Sequence, residues 1–253
     1  RSGTQFTSTA MLILNKLRHA FSDMWYVLFP PACPVCNVTL REGEQILCNH
    51  CRAGIPLTGY IGHVDNAMER RLWGLTIFEH ASALFFYIEN SPYRRIIHEF
   101  KYGGKWYLAR EMGEWFGGEI LRAGAYPNID VIIPVPLHPL RRLWRGYNQS
   151  EYLAEGLSRV LEVPVDRRSL RRHSYTTSQT RRTKNQRWDN VHGRFRVRRG
   201  AQLAGRHILL VDDVFTTGAT ICACAEAIRA VAPDCRISVA TLSVSQREVA
   251  DLF

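Results

Sequence analysis

The stretch that most constrains the 253-residue chain is 208–220, "ILLVDDVFTTGAT". Four consecutive apolar residues run into two adjacent aspartates and then into a small, hydroxyl-rich turn around one glycine. A continuous apolar run of this length is the pattern of a strand buried on both faces, as in parallel sheets covered by helices. The residues that follow, "ATICACAEAIRAVA", have the composition and spacing of a helix. Strand, tight turn and helix together place the turn at the carboxyl end of a sheet, where open α/β folds bind their ligands.

The same alternation fills the chain from residue 81 onward. "ASALFFYI" reads as a strand, "PYRRIIHEFKYGGK" as a short helix running into a turn, and "WYLAREMGEWFGGEILRA" as a longer amphipathic helix. "IDVIIPVPL" is a second buried strand, followed by "HPLRRLWRGYN" as a loop and "QSEYLAEGLSRVLE" as a helix. "GRHILLVDD" and "CRISVATLSV" are further strands. The expected fold class is α/β, a mostly parallel sheet flanked by helices. The loop 137–147 and the turn 212–220 both leave carboxyl ends of strands, so they should face one crevice.

The chemistry of those two segments is complementary. A turn that opens a helix presents unpaired amides and a positive dipole end, which suits a phosphate. Gly218 permits close backbone approach, and Thr216, Thr217 and Thr220 add hydroxyl donors beside Ala219. Asp212 and Asp213 would repel a phosphate but can accept hydrogen bonds from sugar hydroxyls or hold water on a magnesium ion. An aspartate cap on a threonine-rich turn is the plainer reading of any one of these residues, and the full ordered set outweighs it. Arg141, Arg142 and Arg145 in the facing loop suit phosphate charge.

Four of the seven cysteines lie in "CPVCNVTLREGEQILCNHC": Cys33, Cys36, Cys48 and Cys51. Two C-x-x-C pairs separated by eleven residues have the spacing that sets four thiolates around structural zinc. The unit is expected to be a zinc ribbon or knuckle with a short hairpin between the pairs; two disulfides or a bare cysteine cluster, or His50 in place of one sulfur, are the alternatives. Cys222, Cys224 and Cys235 read as small core residues. The expected organisation is a leader over 1–32, a zinc-binding module over 33–60 and the α/β domain over 81–253.

Lysine and arginine total 33 against 23 acids, a formal net charge of +10. Residues 141–199 hold 16 basic and 5 acidic residues, so one zone carries the whole excess and calls for an anionic partner. Trp144, Tyr147, Tyr175 and Trp188 lie among its arginines and offer stacking surfaces for single-stranded DNA. No apolar run has the length of a transmembrane segment. The leader "MLILNKLRHAFSDMWYVLFPP" reads as an amphipathic helix, without the cleavage pattern of a signal peptide. The expected location is the cytoplasm, with peripheral docking at the inner face of the membrane open to the leader.

"ILLVDDVFTTGAT" resembles the phosphoribosyl pyrophosphate signature of type I phosphoribosyltransferases. With "FPPACPVC", "CNHC", "YRRIIHEFKYGGK", "IIPVPLHPLRRLWRGYNQSEYLA" and "TSQTRRTKNQRWDNVHGRF", the chain resembles the ComF family over nearly all of 24–245. The resemblance implies that Asp212 and Asp213 contact the ribose and that residues 216–220 hold the 5'-phosphate. His138, Arg141, Arg145, Gly146, Asn148 and Gln149 would stand at the pyrophosphate loop, and Gln179, Arg187 and Asn190 on a mobile flap. Lys101, with Arg141 and Arg145, would stabilise the leaving pyrophosphate together with magnesium, and 81–123 would form the hood over an acceptor.

Two functions fit that resemblance. One is a protein of natural transformation that handles incoming single-stranded DNA beside a helicase or recombination loader, with phosphoribosyl pyrophosphate bound in its pocket. The other is a magnesium-dependent phosphoribosyltransferase of nucleotide or small-molecule metabolism with no DNA role. No residue pattern in the hood identifies an acceptor.

Overall fold

The computed structural model describes residues 31–173, 195–198 and 200–250. The chain divides into two compact units, 1–53 and 54–253. In the first, a tight turn closes with Cys33 N–H on Val38 O (2.8 Å) and Asn37 N–H on Cys33 O (2.8 Å). Asn37 takes the left-handed conformation this turn requires (φ 62°). The hairpin expected between the pairs does not form among the described residues; the antiparallel bridge of Ala32 with Thr39 instead closes the first pair. Glu44 accounts for the irregular backbone that replaces the hairpin, because its carboxylate accepts from Arg41 N (2.7 Å) and Asn49 N (2.8 Å). A short helix, α1, covers Asn49–Gly54.

In the second unit, α2 (Ala67–Leu72) is capped by Asn66, whose Oδ1 accepts from Met68 N and Glu69 N. It is followed by β1 (Ala81–Tyr87), α3 (Arg94–Tyr102) and α4 (Trp106–Arg122). Next come β2 (Val131–Pro134), α5 (Pro139–Arg145) and α6 (Gln149–Leu161). A small antiparallel pair, β3 (Leu170–Arg172) with β4 (Phe195–Val197), precedes β5 (His207–Phe215), α7 (Ala219–Arg229), β6 (Arg236–Ser245) and α8 (Gln246–Ala250). Residues 54–60, grouped by sequence with the cysteines, belong to this second unit. Leu57 bridges Phe85, and Thr58 Oγ1 donates to Ala83 O.

The main sheet has the order β1-β6-β5-β2, and every pairing is parallel. Its two central strands are β6 and β5, and the apolar run of β5 is covered on both faces; β2, the other apolar run picked out by sequence, lies at the edge of the sheet. Ile208 and Leu210 join one buried cluster with Ile221, Cys224 and Ile228 of α7 and Met68 and Leu72 of α2. The alternating residues Leu209 and Val211 are equally buried, and α6 packs along β5 and β2. All three cysteines outside the first unit are buried core residues, as expected.

A further expectation fails. "HPLRRLWRGYN" is not a loop: residues 139–145 form α5. Pro139 sits at its start, His138 Nδ1 accepts from Leu140 N (3.2 Å), and Gly146 ends it in the left-handed conformation (φ 80°). Its arginines and aromatics were read as loop chemistry, while its two caps are the signal of a helix.

Candidate functional site

Asp212 and Asp213 lie near the carboxyl end of β5, two to three residues before the strand ends at Phe215. Successive strand residues point to opposite faces, so two neighbouring carboxylates meet different partners. Ser150 Oγ donates to Asp212 Oδ1 (3.0 Å), and Asp213 N–H donates to the same oxygen (2.9 Å). Gln149 Nε2 donates to Asp213 Oδ2 (2.7 Å), which Lys101 Nζ also reaches (3.0 Å). Burial and the charge of Asp213 push Asp212 up to about 7, opposed by the backbone donor of Asp213, Lys101 and Ser150.

Both donors on α6 are set by its start. Asn148 caps the helix, its Oδ1 accepting from Ser150 N (3.2 Å) and its Nδ2 donating to Val135 O (3.1 Å) beyond β2. The first turn is thereby fixed to the neighbouring strand, and Gln149 and Ser150 are aimed at the aspartates. Arg145 extends the network. Its guanidinium donates to Gln149 Oε1 (3.2 Å) and Tyr102 Oη (3.2 Å) and lies 4.8 Å from the centre of the Tyr102 ring. Arg142 pairs with Glu151 (3.1 Å), whereas Arg141 is exposed and takes no part in these contacts.

After β5 the chain turns at Thr216 and Thr217, both exposed, and Gly218 precedes α7 with φ 81°. A Cβ at Gly218 would stand 3.1 Å from Phe215 and 3.2 Å from Leu72, so both conformation and space call for glycine. Ala219 and Thr220 begin α7, and the Ala219 amide reaches Thr217 Oγ1 at 3.5 Å. Beside this turn opens a cavity of about 770 Å³, lined by Asp213, Val214 and Thr216 and, from α3, by Arg94, Lys101 and Tyr102. An acidic strand end, a glycine turn and the cationic side chains of Arg94 and Lys101 thus border one space.

The structure brings together Asp212, Asp213, Lys101, Arg145 and Gln149. His138, Gly146 and Asn148 hold the ends of the helices that carry this group. Gln179, Arg187 and Asn190 lie outside the described residues, as do Tyr175 and Trp188. Ser150 and Tyr102 were not singled out by sequence. Ser150 could have been found, since it shares the capped first turn with Gln149; Tyr102 carries no pattern that links it to Arg145, 43 residues away.

In the first unit the sulfurs of Cys33, Cys36, Cys48 and Cys51 all lie within 4.8 Å of one another. They form one cluster of free thiols, not two bonded pairs, and His50 is exposed outside it. Burial opposes ionisation of Cys33, but backbone donors at Cys36, Cys48 and Val35 outweigh it and bring the thiol down to about 7. Cys51 is pushed up by burial and by its cysteine neighbours. A close group of thiols that cannot all ionise unaided is a donor set for a soft divalent metal.

A family model described as a phosphoribosyl transferase domain matches residues 148–253, which include α6, β5, the glycine turn and β6. The class defined by the parallel sheet and its site is thus that of the phosphoribosyltransferase-domain proteins. The chain is 31% identical over 197 residues to the DNA utilization protein YhgH of Shigella flexneri, covering 75% of this chain and 80% of that protein. It is 29% identical over 200 residues to Competence protein F of Haemophilus influenzae, covering 75% and 86%. Competence protein ComFC of Bacillus subtilis is 27% identical over 136 residues, covering 53% and 52%. The chain belongs to the ComF family. Among the described residues no helix is long and apolar enough to cross a membrane.

Proposed function

We propose that this chain is a DNA-utilisation protein of natural transformation that binds phosphoribosyl pyrophosphate with magnesium and carries a structural zinc. The observation that carries the reading is the pair Asp212 and Asp213, held by Gln149, Ser150 and Lys101 beside the Gly218 turn. Ribose hydroxyls would replace Gln149 and Lys101 as donors to the carboxylates, and the 5'-phosphate would sit on the amides of 217–220. Released Lys101 and neighbouring Arg145 are then near the pyrophosphate, with exposed Arg141 at its outer edge. Magnesium, when bound, neutralises charge on the pyrophosphate; the carboxylates of Asp212 and Asp213 suit its water shell.

The test is a calorimetric titration of phosphoribosyl pyrophosphate with magnesium into the full chain and into the Asp212→Asn, Asp213→Asn double variant. Saturable binding by the first alone is the expected result. No heat with folded, metal-loaded protein would sink the pocket reading. The hood cavity favours a second reading, a working transferase, because it leaves room for an acceptor beside Asp213 and Thr216. Pyrophosphate release that depends on an added acceptor would decide for it. The cytoplasm, with single-stranded DNA and a helicase or recombination loader as partners, belongs to the same proposal.

A further inference from the structure

The second unit carries a basic, aromatic groove that does not belong to the Asp212 and Asp213 crevice. At one end Trp106 at the start of α4 and Tyr152 in α6 lie 4.9 Å apart with ring planes at 33°, and Arg110 stands 5.3 Å from the centre of the Trp106 ring. Trp106 is 38% exposed, and Tyr107 meets it edge-on while 43% exposed. Trp106 and Tyr152 line an open cavity of about 850 Å³ together with Arg110, Arg159, Arg167 and Arg168, and with the acids Glu155 and Asp166.

Arg167 also lines a second cavity of about 360 Å³, whose walls include Arg142, Arg171, Arg172 and Arg198. The two cavities share Arg167, and their linings together make one basic track along this face. Neither shares a lining residue with the cavity beside Asp213.

Charge along the track is incompletely matched. Arg142, Arg159 and Arg167 pair with Glu151, Glu114 and Glu155. Arg168, Arg171 and Arg198 have no ion pair among the described residues. The buried Nε donors of Arg110 and Arg171 also lack a hydrogen-bond partner there. Excess cations call for a polyanion, and the part-exposed Trp106 ring at one end calls for a flat group to stack on it. A duplex keeps its base faces stacked inside; a single strand offers both bases and phosphates.

We infer that this groove, from Trp106 and Tyr152 across Arg167 to Arg171 and Arg198, is the path of single-stranded DNA on the protein. The inference rests on the DNA side of the proposed function and does not need the phosphoribosyl pocket. Bases stack on Trp106 and Tyr152, and the backbone follows Arg168, Arg171 and Arg198. The helix α5, whose arginines and Trp144 the sequence favoured for this role, lies off most of the track: Arg145 is engaged with Tyr102 and Gln149 instead.

The test uses the full metal-loaded chain and a labelled oligo(dT), with fluorescence anisotropy at several salt concentrations. The Arg168→Ala, Arg171→Ala, Arg198→Ala variant is expected to bind at least tenfold more weakly, its salt slope smaller by about 2, given about 0.7 per phosphate contact on a single strand. Trp106→Ala should lose roughly tenfold while Trp106→Tyr retains most of the affinity, as a stacking contact requires. Circular dichroism and the phosphoribosyl pyrophosphate titration check that each variant is folded. If the parent binds oligo(dT) and the triple-arginine variant binds it equally well, this groove is wrong and the DNA reading survives. If the parent binds no oligo(dT), the DNA reading fails with it. Equal or tighter binding of duplex DNA or of oligo(U) would overturn the assignment to single-stranded DNA.

Discussion

Asp212 is the residue whose surroundings depart furthest from those of an ordinary carboxylate in the crevice. Burial and Asp213 raise it from 3.8 to about 7, so the folded chain holds this proton more tightly than the unfolded chain does. Its contribution to stability therefore falls as pH climbs from 3.8 towards 7, and the penalty is full above that window. Asp212→Asn removes the charge and keeps an oxygen for Ser150, so the ligand-free variant should melt at a higher temperature than the parent at pH 8. At pH 4 the two should melt nearly together; equal melting at both pH values would contradict this account. The same substitution should weaken binding of phosphoribosyl pyrophosphate, since a carboxylate accepts from two hydroxyls where an amide offers one acceptor oxygen. Stability gained with affinity lost is the pattern of a group retained for its ligand.

The helices and strands were legible where the residues themselves repeat a local rule. The β5 run, the glycine turn and the Asn148 cap each follow from neighbouring residues, and the sheet class follows from their alternation. The α5 helix was misread because its charges drew more notice than its caps. Less legible still was the contact between α4 and α6. Gly113 and Gly156 bring these helices together so closely that a Cβ at Gly156 would stand 1.9 Å from Arg110 O and one at Gly113 2.3 Å from Leu153 O. Both glycines were visible inside helix-like stretches, but only tertiary packing says what approaches them. Gly156→Ala should cost about 3 kcal/mol, read as a lower urea midpoint, because the obstacle is backbone and cannot rotate away. Gly218→Ala should cost about 1–2 kcal/mol from its positive φ and should also abolish binding at the turn, where the change meets Phe215 and Leu72. An unchanged midpoint in either variant would show that the backbone gives way at no cost.

At the scale of the whole molecule, the cysteine unit and the α/β unit should respond differently to loss of metal. The described part of the first unit, residues 31–53, has little regular structure and centres on four sulfurs, too small a core to hold its shape unaided. A strong chelator is expected to release one zinc per chain, read with a chromogenic indicator. It should abolish protection of amides in 31–53 against hydrogen exchange while leaving β5 and β6 protected. Release of no metal, or loss of protection throughout, would refute that division. The sequence foretold the sulfurs from spacing alone, but nothing local in it foretold that Trp106, well before the basic zone, would meet Tyr152 within it. The Gly113 and Gly156 contact that sets their separation has a mechanical meaning. With no side chain between them as a cushion, α4 and α6 have no slack, and α6 cannot tilt without carrying α4. Tyr152 is three residues from Gln149 on that bar, so a load placed on the rings at the flank is borne by the same rigid beam whose tip props the two aspartates.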